Sequence, residues 1–561
     1  MTVAAGVDIG NSTTEVVIGR VTGRGVDILA AGRAPTRREK GSDASLDGAT
    51  ALLRRLEREV GGTVQVAVAA PLRPVHTRTV TLPEPEADTG RLRIVRSGVR
   101  TAGGTGFGVG RPVVVGEMPS GADPIVAVVP AAVGFRAALE PLRRLRDAGR
   151  LAAVVLENDE AVLVANRLGD GQLPGVPVVD EVPAAEVCGA LLVAVEVASA
   201  AGALRTVGDP LRLLDVLALD DAERQHAARL SAGLADSSNA VVALDLARAG
   251  QPLGPLGWIE LAADGGRRRV TLAAGHQAVS AGAVGLVRSY ALPPDEVPRE
   301  VDDLLTVDLA GIADSVLARV GAAASRAVAL AALHADAPYA DPATALRDRL
   351  GVPVHTASSE WAAGRLGALT TPGAEPGAVV VDLGGGTVDV VGEESAVVAA
   401  GAGELLTVSV GALAGATRAA AEWVKRGPAS RVESPHLLLG EDGARQFLER
   451  PAAPETLGAL VVRGPAGLLP FGHRLSPGEW RALRLRLKAE VLGGNVARAL
   501  RTLGVRPRTV VVVGGPAADD EVLVSVARAL PDGVVVGRGD AGGSLGHRHV
   551  VAYGLLLTLA R

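Results

Sequence analysis

Two short segments of the sequence place acids, glycines and hydroxyls in an order that suits phosphate chemistry. In the second of them, the apolar run 378–381 ends at Asp382, and the next residues include Gly384, Gly385, Gly386 and Thr387. Glycines let successive backbone N–H groups approach a polyphosphate, a threonine adds a hydroxyl, and a carboxylate can hold hydrated Mg²⁺. The segment therefore predicts a strand, a phosphate-binding turn and a second strand, although a tight β-turn without a ligand has the same pattern.

The N-terminus carries a second copy of this segment. Residues 8–17 read DIGNSTTEVV and residues 382–391 read DLGGGTVDVV, with acids, a glycine and a threonine at matching positions. Two such units far apart in the chain predict a duplicated α/β fold that closes on one nucleotide from two sides. We take Asp8 and Asp382 as catalytic candidates that serve Mg²⁺-ATP through bound water. The binding candidates of the first copy are Gly10, Asn11, Ser12 and Thr13.

Further stretches of the second half supply candidates for the same site. Glu360 opens a predicted helix, where its carboxylate could cap that helix or orient a water at the γ-phosphate as a catalytic residue. The turn 399–404, AAGAGE, precedes another helix and suits the β-phosphate side. The strand 509–513 ends in a pair of glycines, and two basic residues lie four apart on the predicted helix 477–503. The nucleotide-binding candidates from these stretches are Gly401, Gly403, Glu404, Arg484, Lys488, Gly514 and Gly515.

Two other kinds of site are disfavoured by the sequence. A P-loop needs a lysine directly after a glycine, and none of the three lysines, at 40, 425 and 488, follows one. His547 and His549 resemble a metal pair, but no third ligand accompanies them, so we expect them to be surface residues.

Acid pairs follow two predicted strands near residue 170. Asp159 and Glu160 come after one strand, and Asp180 and Glu181 come after the other. Carboxylates at strand ends occur where hard cations bind, although solvated turn residues have the same appearance.

Composition and length limit the class of protein. The chain has 561 residues, which is too long for one core and predicts three or four domains. Its net charge of −5 gives no sign of nucleic-acid binding, and no segment is expected to cross a membrane. A single cysteine, Cys188, excludes an internal disulfide. We expect a cytoplasmic protein.

The order of predicted elements divides the chain. A helix at 45–60 and a strand at 64–70 complete the first nucleotide unit, and a strand, helix and strand over 124–156 form a βαβ unit of a separate domain. The glycine-rich stretch 101–110 is compatible with a flexible interdomain loop. Residues 205–250 and 285–350 have helical spacing, most clearly 302–330, and predict a partly helical linker.

Taken together, these motifs resemble those of the actin, sugar kinase and heat-shock chaperone ATPase superfamily. Within it, the chain resembles the large subunit of diol and glycerol dehydratase reactivating factors. The stretches that carry this resemblance are GVDIGNSTTEV, TAGGTGFGVG, LENDEAVLVANRL, VPVVDEV, LGALTTPG, DLGGGTVD, AGAGE and VVVGGPAADDEV.

The resemblance implies an ATP-dependent molecular chaperone that releases damaged cobalamin from an adenosylcobalamin-dependent dehydratase. It implies ATP or ADP and Mg²⁺ as cofactors, and a small subunit as partner in an α₂β₂ complex. It also implies a second metal site near the subunit contact, on Thr101, Asp159 and Asp180. A sugar-kinase-like phosphotransferase and an actin-like filament ATPase are the alternatives.

The same resemblance implies a domain order. The ATPase domain would comprise residues 1–90, 351–426 and 481–561. A swiveling α/β domain would occupy 91–235, a partly helical linker region 236–350, and a small insert 427–480.

Overall fold

The first sheet is built by the N-terminal segment. The computed structural model describes every residue except 1, 24, 39, 73–76, 84–88, 99–103, 118, 169–174, 199–203, 235–236, 246–256, 264–265, 293–296, 318–326, 335–340, 465–466 and 561. The first elements are β1 (Thr2–Ile9), β2 (Thr13–Thr22), β3 (Gly25–Pro35), α1 (Asp43–Val60), β4 (Val66–Ala69) and β5 (Thr77–Pro83). Helix α1 begins at Ser42, whose side chain accepts the Ser45 N–H, and ends at Gly61 in the left-handed conformation. Its apolar face packs on one side of β1.

The next segment forms a separate seven-stranded sheet with flanking helices. Its elements are β6 (Leu92–Gly98), β7 (Gly106–Val114), β8 (Ile125–Val129), α2 (Gly134–Asp147), β9 (Leu151–Leu156), α3 (Ala161–Leu168), β10 (Val178–Val179), β11 (Leu192–Val197), α4 (Pro210–Val216), α5 (Arg224–Gly233) and β12 (Asn239–Leu244). The strand order is β10-β9-β8-β7-β11-β12-β6.

Two features of this sheet differ from the sequence expectations. Strand β12 pairs with both β11 and β6, so the sheet extends beyond the expected boundary at residue 235. The expected flexible loop 101–110 is described from residue 104 onward, and its residues 106–110 are the start of central strand β7. Glycine is needed there because a Cβ on Gly108 would lie 1.9 Å from the Ala152 carbonyl oxygen.

A six-stranded sheet follows and takes β5 as its edge strand. Its order is β14-β13-β15-β16-β17-β5. This segment and the strand that returns to the first sheet comprise β13 (Trp258–Ala263), β14 (Gly266–Thr271), α6 (Leu272–Ala281), β15 (Val287–Ala291), β16 (Arg299–Asp308), α7 (Leu309–Val316), β17 (Ala327–His334), α8 (Pro342–Leu350) and β18 (Val354–Thr356).

The helical prediction for 302–330 is wrong. Within it, most of β16 and the start of β17 are strands that pair antiparallel, and the short helix α7 is the one helix among the described residues between them. Both strands are buried on both faces over most of their length, so neither sequence has the regular alternation of a half-exposed strand, and that of β17 is a nearly continuous apolar run. Such runs cannot be distinguished from a buried helix by periodicity.

The rest of the chain forms a second five-stranded sheet and the insert. The elements are α9 (Glu360–Ala368), β19 (Val379–Leu383), β20 (Thr387–Val391), β21 (Ala396–Ala400), α10 (Gly403–Ala414), α11 (Arg418–Val424), β22 (Ser430–Ser434), β23 (Leu437–Gly440), β24 (Arg445–Phe447), β25 (Leu460–Gly464), β26 (Gly467–Gly472), α12 (Pro477–Lys488), α13 (Asn495–Leu503), β27 (Thr509–Gly514), α14 (Asp520–Ala529), β28 (Val535–Arg538) and α15 (Val550–Thr558). Strands β22–β26 make a separate antiparallel sheet within the expected insert.

The first sheet and the sheet that contains β19 have the same five-stranded topology, which confirms the predicted duplicated α/β fold. Their orders are β3-β2-β1-β4-β18 and β21-β20-β19-β27-β28. In each, three strands form an antiparallel meander and two further strands add in parallel beside the first strand. The equivalent turns after β1 and β19 therefore lie at equivalent positions, one in each half.

Helices α9 and α15 cross at very short range between the two halves. A Cβ on Gly367 would lie 1.9 Å from the Val550 carbonyl oxygen, and a Cβ on Gly554 would lie 1.8 Å from that of Ala363. The lack of a side chain at these two glycines allows the close packing of α9 and α15. Within the described chain, no helix has the length and apolarity to cross a lipid bilayer.

Candidate nucleotide site

Each half contributes one glycine turn that closes in the same way. In the turn after β1, the Gly10 N–H donates to the Thr13 carbonyl at 2.9 Å. In the turn after β19, the Gly384 N–H donates to the Thr387 carbonyl, also at 2.9 Å. The two sequence copies therefore give two copies of one hairpin, and we call them hairpin 1 (residues 8–15) and hairpin 2 (residues 382–389).

The tips of the two hairpins face each other. A Cβ on Gly385 would lie 2.2 Å from the Ser12 hydroxyl oxygen. Side chains at Gly385 would therefore fill the space between the hairpins, where only bare backbone fits. This places the candidates Gly10, Asn11, Ser12, Thr13, Gly384, Gly385, Gly386 and Thr387 around one cleft.

Buried carboxylates line the floor of this cleft. Burial raises the pKa of Asp8 well above its usual range, and the neighbouring carboxylates of Glu360 and Glu15 raise it further. Burial, helped by Asp389 and Glu360, raises the pKa of Asp382 to about 8. Groups with displaced pKa values in a cleft mark a functional site on physical grounds.

Lys40 is a member of this cluster that the sequence did not identify. Its ammonium donates to the Glu360 carboxylate at 3.0 Å, and its side chain is only 7% exposed. Burial by itself would lower the pKa of Lys40, but the carboxylates of Glu360 and Asp8 outweigh burial and raise it. The sequence signal that could have identified Lys40 is the rarity of lysine in this chain. All three lysines are largely buried and form ion pairs.

The structure excludes one of the two roles weighed for Glu360, which is helix capping. The N-cap of α9 is Ser359, whose hydroxyl accepts the Ala362 N–H. Glu360 is therefore not the capping residue, and its carboxylate points to Lys40 instead.

The residues present fit a hydrated magnesium ion beside a polyphosphate. Asp8 Oδ1 is buried and has no hydrogen-bond partner among the described residues. The neighbouring groups include carboxylates, the hard oxygen donors that Mg²⁺ prefers, and burial together with these acids raises the pKa of Asp8 and Asp382 although the Lys40 ammonium is nearby. In the described part of the chain, no group of three or more His, Cys, Asp or Glu side chains has the geometry of a direct metal site.

The glycine turn 400–404 lies directly behind hairpin 2. The Gly401 N–H donates to the Gly386 carbonyl at 2.8 Å, and the Glu404 N–H donates to the Gly385 carbonyl at 2.7 Å. The Gly403 N–H similarly reaches the Gly384 carbonyl at 3.2 Å. These three N–H groups thus hold hairpin 2 in place, and none of them is left over for a phosphate in this conformation.

Arg484 and Lys488 lie beside the turn after β27, and both are occupied by ion pairs. Arg484 bridges Glu441 of the insert and Glu521 of α14, and Lys488 contacts Asp519 and Glu521. Both basic side chains are fully buried. Their hydrogen bonds fix the insert and α14 against α12, so a direct contact between either residue and a nucleotide stays a prediction.

The turn at Gly514 and Gly515 reaches the cleft. A Cβ on Gly514, which has a φ of 87°, would lie 2.4 Å from Asp382 Oδ1. Arg548 donates to the Gly515 carbonyl at 3.2 Å.

His547 and His549 were expected to be surface residues, but both are half-buried. Burial lowers the pKa of His547 to about 4, with a contribution from Arg548. Burial also lowers the pKa of His549, whose ring hydrogen-bonds the Leu545 carbonyl. Packing against β3 and the cationic surroundings explain why they are neutral, and a metal pair is not required.

Comparisons with known proteins cover nearly the whole chain. Residues 94–245 match the family model described as "DD-reactivating factor swiveling domain", and residues 292–559 match "Diol dehydratase reactivase ATPase-like domain". The chain is 30% identical to the propanediol dehydratase-reactivating factor large subunit of Salmonella typhimurium, over 99% of this chain and 98% of the relative. It belongs to the dehydratase-reactivating factor large-subunit family.

Other members and solved structures agree. The diol dehydratase-reactivating factor large subunit of Klebsiella michiganensis is also 30% identical, over 99% of this chain and 98% of that protein. Among solved structures, a glycerol dehydratase reactivase superposes with a TM-score of 0.67 at 27% identity, covering 99% of both chains. A diol dehydratase-reactivating factor in nucleotide-free form superposes with a TM-score of 0.66 at 27% identity, covering 100% of both chains.

The seven-stranded sheet corresponds to the part of the chain that matches the swiveling domain. Two of the three candidate metal ligands, Asp159 and Asp180, lie in this domain. The Asp180 carboxylate accepts the Ala161 N–H at 3.0 Å. Burial raises the pKa of Asp180, with a further contribution from the Asp159 carboxylate, so the two acids lie near each other. Thr101 lies outside the described residues. A metal on these residues stays a prediction.

Proposed function

We propose that this reactivating-factor large subunit hydrolyses ATP between hairpins 1 and 2, and that it uses the hydrolysis to reactivate an adenosylcobalamin-dependent diol or glycerol dehydratase. The observation that carries the proposal is the face-to-face arrangement of Ser12 and Gly385 on the two hairpins, whose first residues are Asp8, which is buried, and Asp382, which is half-buried. The family match supports the chaperone role.

The residues of the cleft divide the chemistry between them. Backbone N–H groups of the hairpins would bind the phosphates, and the hydroxyls of Ser12, Thr13 and Thr387 would add further donors. Asp8 and Asp382 would hold Mg²⁺ through bound water. When bound, the ion neutralises charge on the phosphates.

Glu360 and Lys40 would act on the attacking water. The carboxylate of Glu360 can accept a proton or orient a water at the γ-phosphate, and the ammonium of Lys40 holds that carboxylate in one position at 3.0 Å. Positioning and charge stabilisation supply most of the rate enhancement in phosphoryl transfer, so this pair needs no covalent chemistry.

The nucleotide state would control partner binding. ATP and ADP can shift the molecule between two arrangements only by their difference in affinity, typically about 1–3 kcal/mol of coupling. The ADP form would bind the inactivated dehydratase with the small subunit displaced, and ATP would loosen that complex so that intact cofactor can enter. The complete factor would be a cytoplasmic α₂β₂ complex with a metal on Thr101, Asp159 and Asp180 at the subunit contact.

The test is recovery of activity by a dehydratase that has been inactivated with its damaged cobalamin in place. The large and small subunits are added with adenosylcobalamin and either ATP, ADP, a non-hydrolysable ATP analogue or no nucleotide. Recovery with ATP alone, together with phosphate release, is expected. Equal recovery without nucleotide would overturn the proposal. A protein that does not reactivate the dehydratase but phosphorylates a polyol, or forms filaments that depend on nucleotide, would also overturn it.

A further inference from the structure

A fully buried polar network lies behind the glycine turn that supports hairpin 2. Its members are Asp303 on β16 and Asn495 and Arg498 on α13, each only 1% exposed. The Arg498 guanidinium pairs with the Asp303 carboxylate, and its Nε donates to Asn495 Oδ1 at 3.1 Å. The ion pair joins residues that are 195 positions apart in the chain.

Further hydrogen bonds of this network join its side chains to the backbone of Ala400 and Gly401 and to the backbone of Gly285. Asn495 Nδ2 donates to the Ala400 carbonyl at 2.9 Å and to the Gly401 carbonyl at 2.7 Å. Asp303 Oδ2 accepts the Ala400 N–H at 2.8 Å, and Oδ1 accepts the Gly285 N–H at 2.9 Å. Ala400 and Gly401 are thus held on both their donor and acceptor sides.

The held backbone in turn supports the phosphate turn. Gly401 has a φ of 90°, which favours glycine, and its N–H donates to Gly386 of hairpin 2 at 2.8 Å. A Cβ on Gly401 would lie 3.2 Å from Leu305 Cδ2 of β16, so the turn also packs against the six-stranded sheet. One continuous set of contacts therefore runs from β16 through the turn 400–404 to Gly386.

The energetics of burial argue against a purely stabilising role. Removing a charged pair from water costs free energy that its mutual attraction offsets only partly, and apolar residues of similar volume are often as stable or more so. What such a network supplies, and an apolar core cannot, is a directional hold on specific N–H and carbonyl groups. Here those groups belong to the backbone that fixes the phosphate turn.

We infer that Asn495 and Asp303 are positioning residues for nucleotide binding, and that they couple the nucleotide site to the six-stranded sheet. The inference rests on the proposed binding of ATP between the hairpins. Neither residue contacts the nucleotide; both act through Ala400 and Gly401, which set the conformation of hairpin 2.

The first test is the affinity for ADP of Asn495→Ala, measured by calorimetric titration of the full chain. We expect a loss of about tenfold, within the range typical of coupled sites. The matched control is Glu196→Gln in the swiveling domain, because Glu196 is also buried and accepts the backbone N–H groups of Arg205, Thr206 and Val207. The control is expected to lower thermal stability and leave the affinity for ADP unchanged.

The second test measures hydrogen exchange with and without ADP. If Asn495 only stabilised the fold, its replacement would not change the effect of ADP on exchange. In the wild type, ADP is expected to slow exchange in β16 and around Gly285, and Asn495→Ala is expected to abolish that nucleotide-dependent protection. If Asn495→Ala does not fold, the same two measurements are made on Asn495→Asp and compared with those on the wild type.

The outcomes separate this inference from the proposed function. A wild type that binds no nucleotide would defeat both. A wild type that binds ADP tightly, with an equally tight Asn495→Ala variant and no nucleotide-dependent exchange in β16, would overturn the inference alone.

Discussion

At the scale of single residues, Asp8 is buried, Asp382 is half-buried, and both have carboxylate neighbours. Both conditions disfavour their ionised forms, as the raised pKa values of the two groups show. A cation that binds together with the substrate would favour the ionised forms of both acids. The cleft therefore suits a divalent cation that offsets the negative charge of both the acids and the bound phosphates.

We predict that replacing either acid abolishes most of the ATPase activity. Asp8→Asn and Asp382→Asn preserve the volume of the side chain and remove its charge, so phosphate release should fall by roughly 100-fold or more, the scale of losses at electrostatic catalytic groups. Circular dichroism should be unchanged. The control is Asp27→Asn on the exposed side of β3. Wild-type rates in both cleft variants would show that catalysis occurs elsewhere.

A second prediction concerns stability without nucleotide or metal. The pKa of Asp382 is raised to about 8 in the folded protein, above the ordinary value of 3.8 for an aspartate in the unfolded chain. Stability from the protonated group is thus fully present below about pH 4 and is lost as the pH rises through about 8, by at most about 1.4 kcal/mol per pH unit.

The Asp382→Asn variant should not show this loss, because its side chain stays neutral. Urea unfolding in metal-free buffer should therefore find the variant increasingly more stable than the wild type between pH 5 and pH 8. A constant difference across this range would mean that Asp382 is ionised in the folded protein throughout.

At the scale of elements, the crossing of α9 and α15 connects the two halves. Side chains are absent at Gly367 and Gly554, so backbone meets backbone there. The chain segment that supplies Glu360 to the cleft is the first turn of α9, and its position is consequently tied to this crossing.

We predict that Gly367→Ala destabilises the protein although alanine favours helices. The new Cβ would lie 1.9 Å from the Val550 carbonyl oxygen, which forces the helices apart and should cost about 1–3 kcal/mol, as overpacking typically does. Gly364→Ala is the matched control on the same helix, since its Cβ would lie 3.5 Å from Val551 Cγ2, an ordinary contact. Thermal unfolding of both variants is the measurement. Equal midpoints would contradict the close crossing.

The elements that sequence predicted well are those specified locally. The two hairpins follow from glycines and acids within eight residues of each other, and α1 follows from its apolar spacing and its cap at Ser42. Strands β16 and β17 were mistaken for helix because burial on both faces removes the alternation that identifies a strand.

The parts of the candidate site that pair residues far apart in the chain were not predictable from the sequence. Lys40 and Glu360 are 320 residues apart, and Asp303 and Arg498 are 195 residues apart, so nothing in local spacing connects them. The roles of Gly401, Gly403 and Glu404 illustrate a further limit. Their sequence predicted a phosphate turn, but their N–H groups are directed at the carbonyls of hairpin 2.

At the scale of the whole molecule, the swiveling domain is a separate sheet with its own core. Its acids Asp159 and Asp180 are far along the chain from the hairpins and were assigned a metal only through the family resemblance. Function at this scale depends on whether the domain binds the small subunit independently of the nucleotide.

We predict that Asp159→Asn combined with Asp180→Asn weakens the complex with the small subunit and leaves the affinity for ADP unchanged. The reason is that a neutral amide is a poorer ligand for a hard cation than a carboxylate. Size-exclusion chromatography of the mixed subunits and nucleotide titration are the two measurements. Asp147→Asn, which is exposed in the same domain, is the control. A loss of ADP binding with an intact complex would assign these acids to the nucleotide site.

The central claim is that hairpins 1 and 2 close on one nucleotide and that this closure powers reactivation. The most direct measurement is ATP-dependent recovery of an inactivated dehydratase by factors that carry Gly385→Val or Gly427→Val. Gly385 faces Ser12 across the cleft, whereas a Cβ on Gly427 would meet nothing within 4 Å. We predict full recovery with Gly427→Val and none with a folded Gly385→Val, and recovery at the wild-type rate with Gly385→Val would contradict the account.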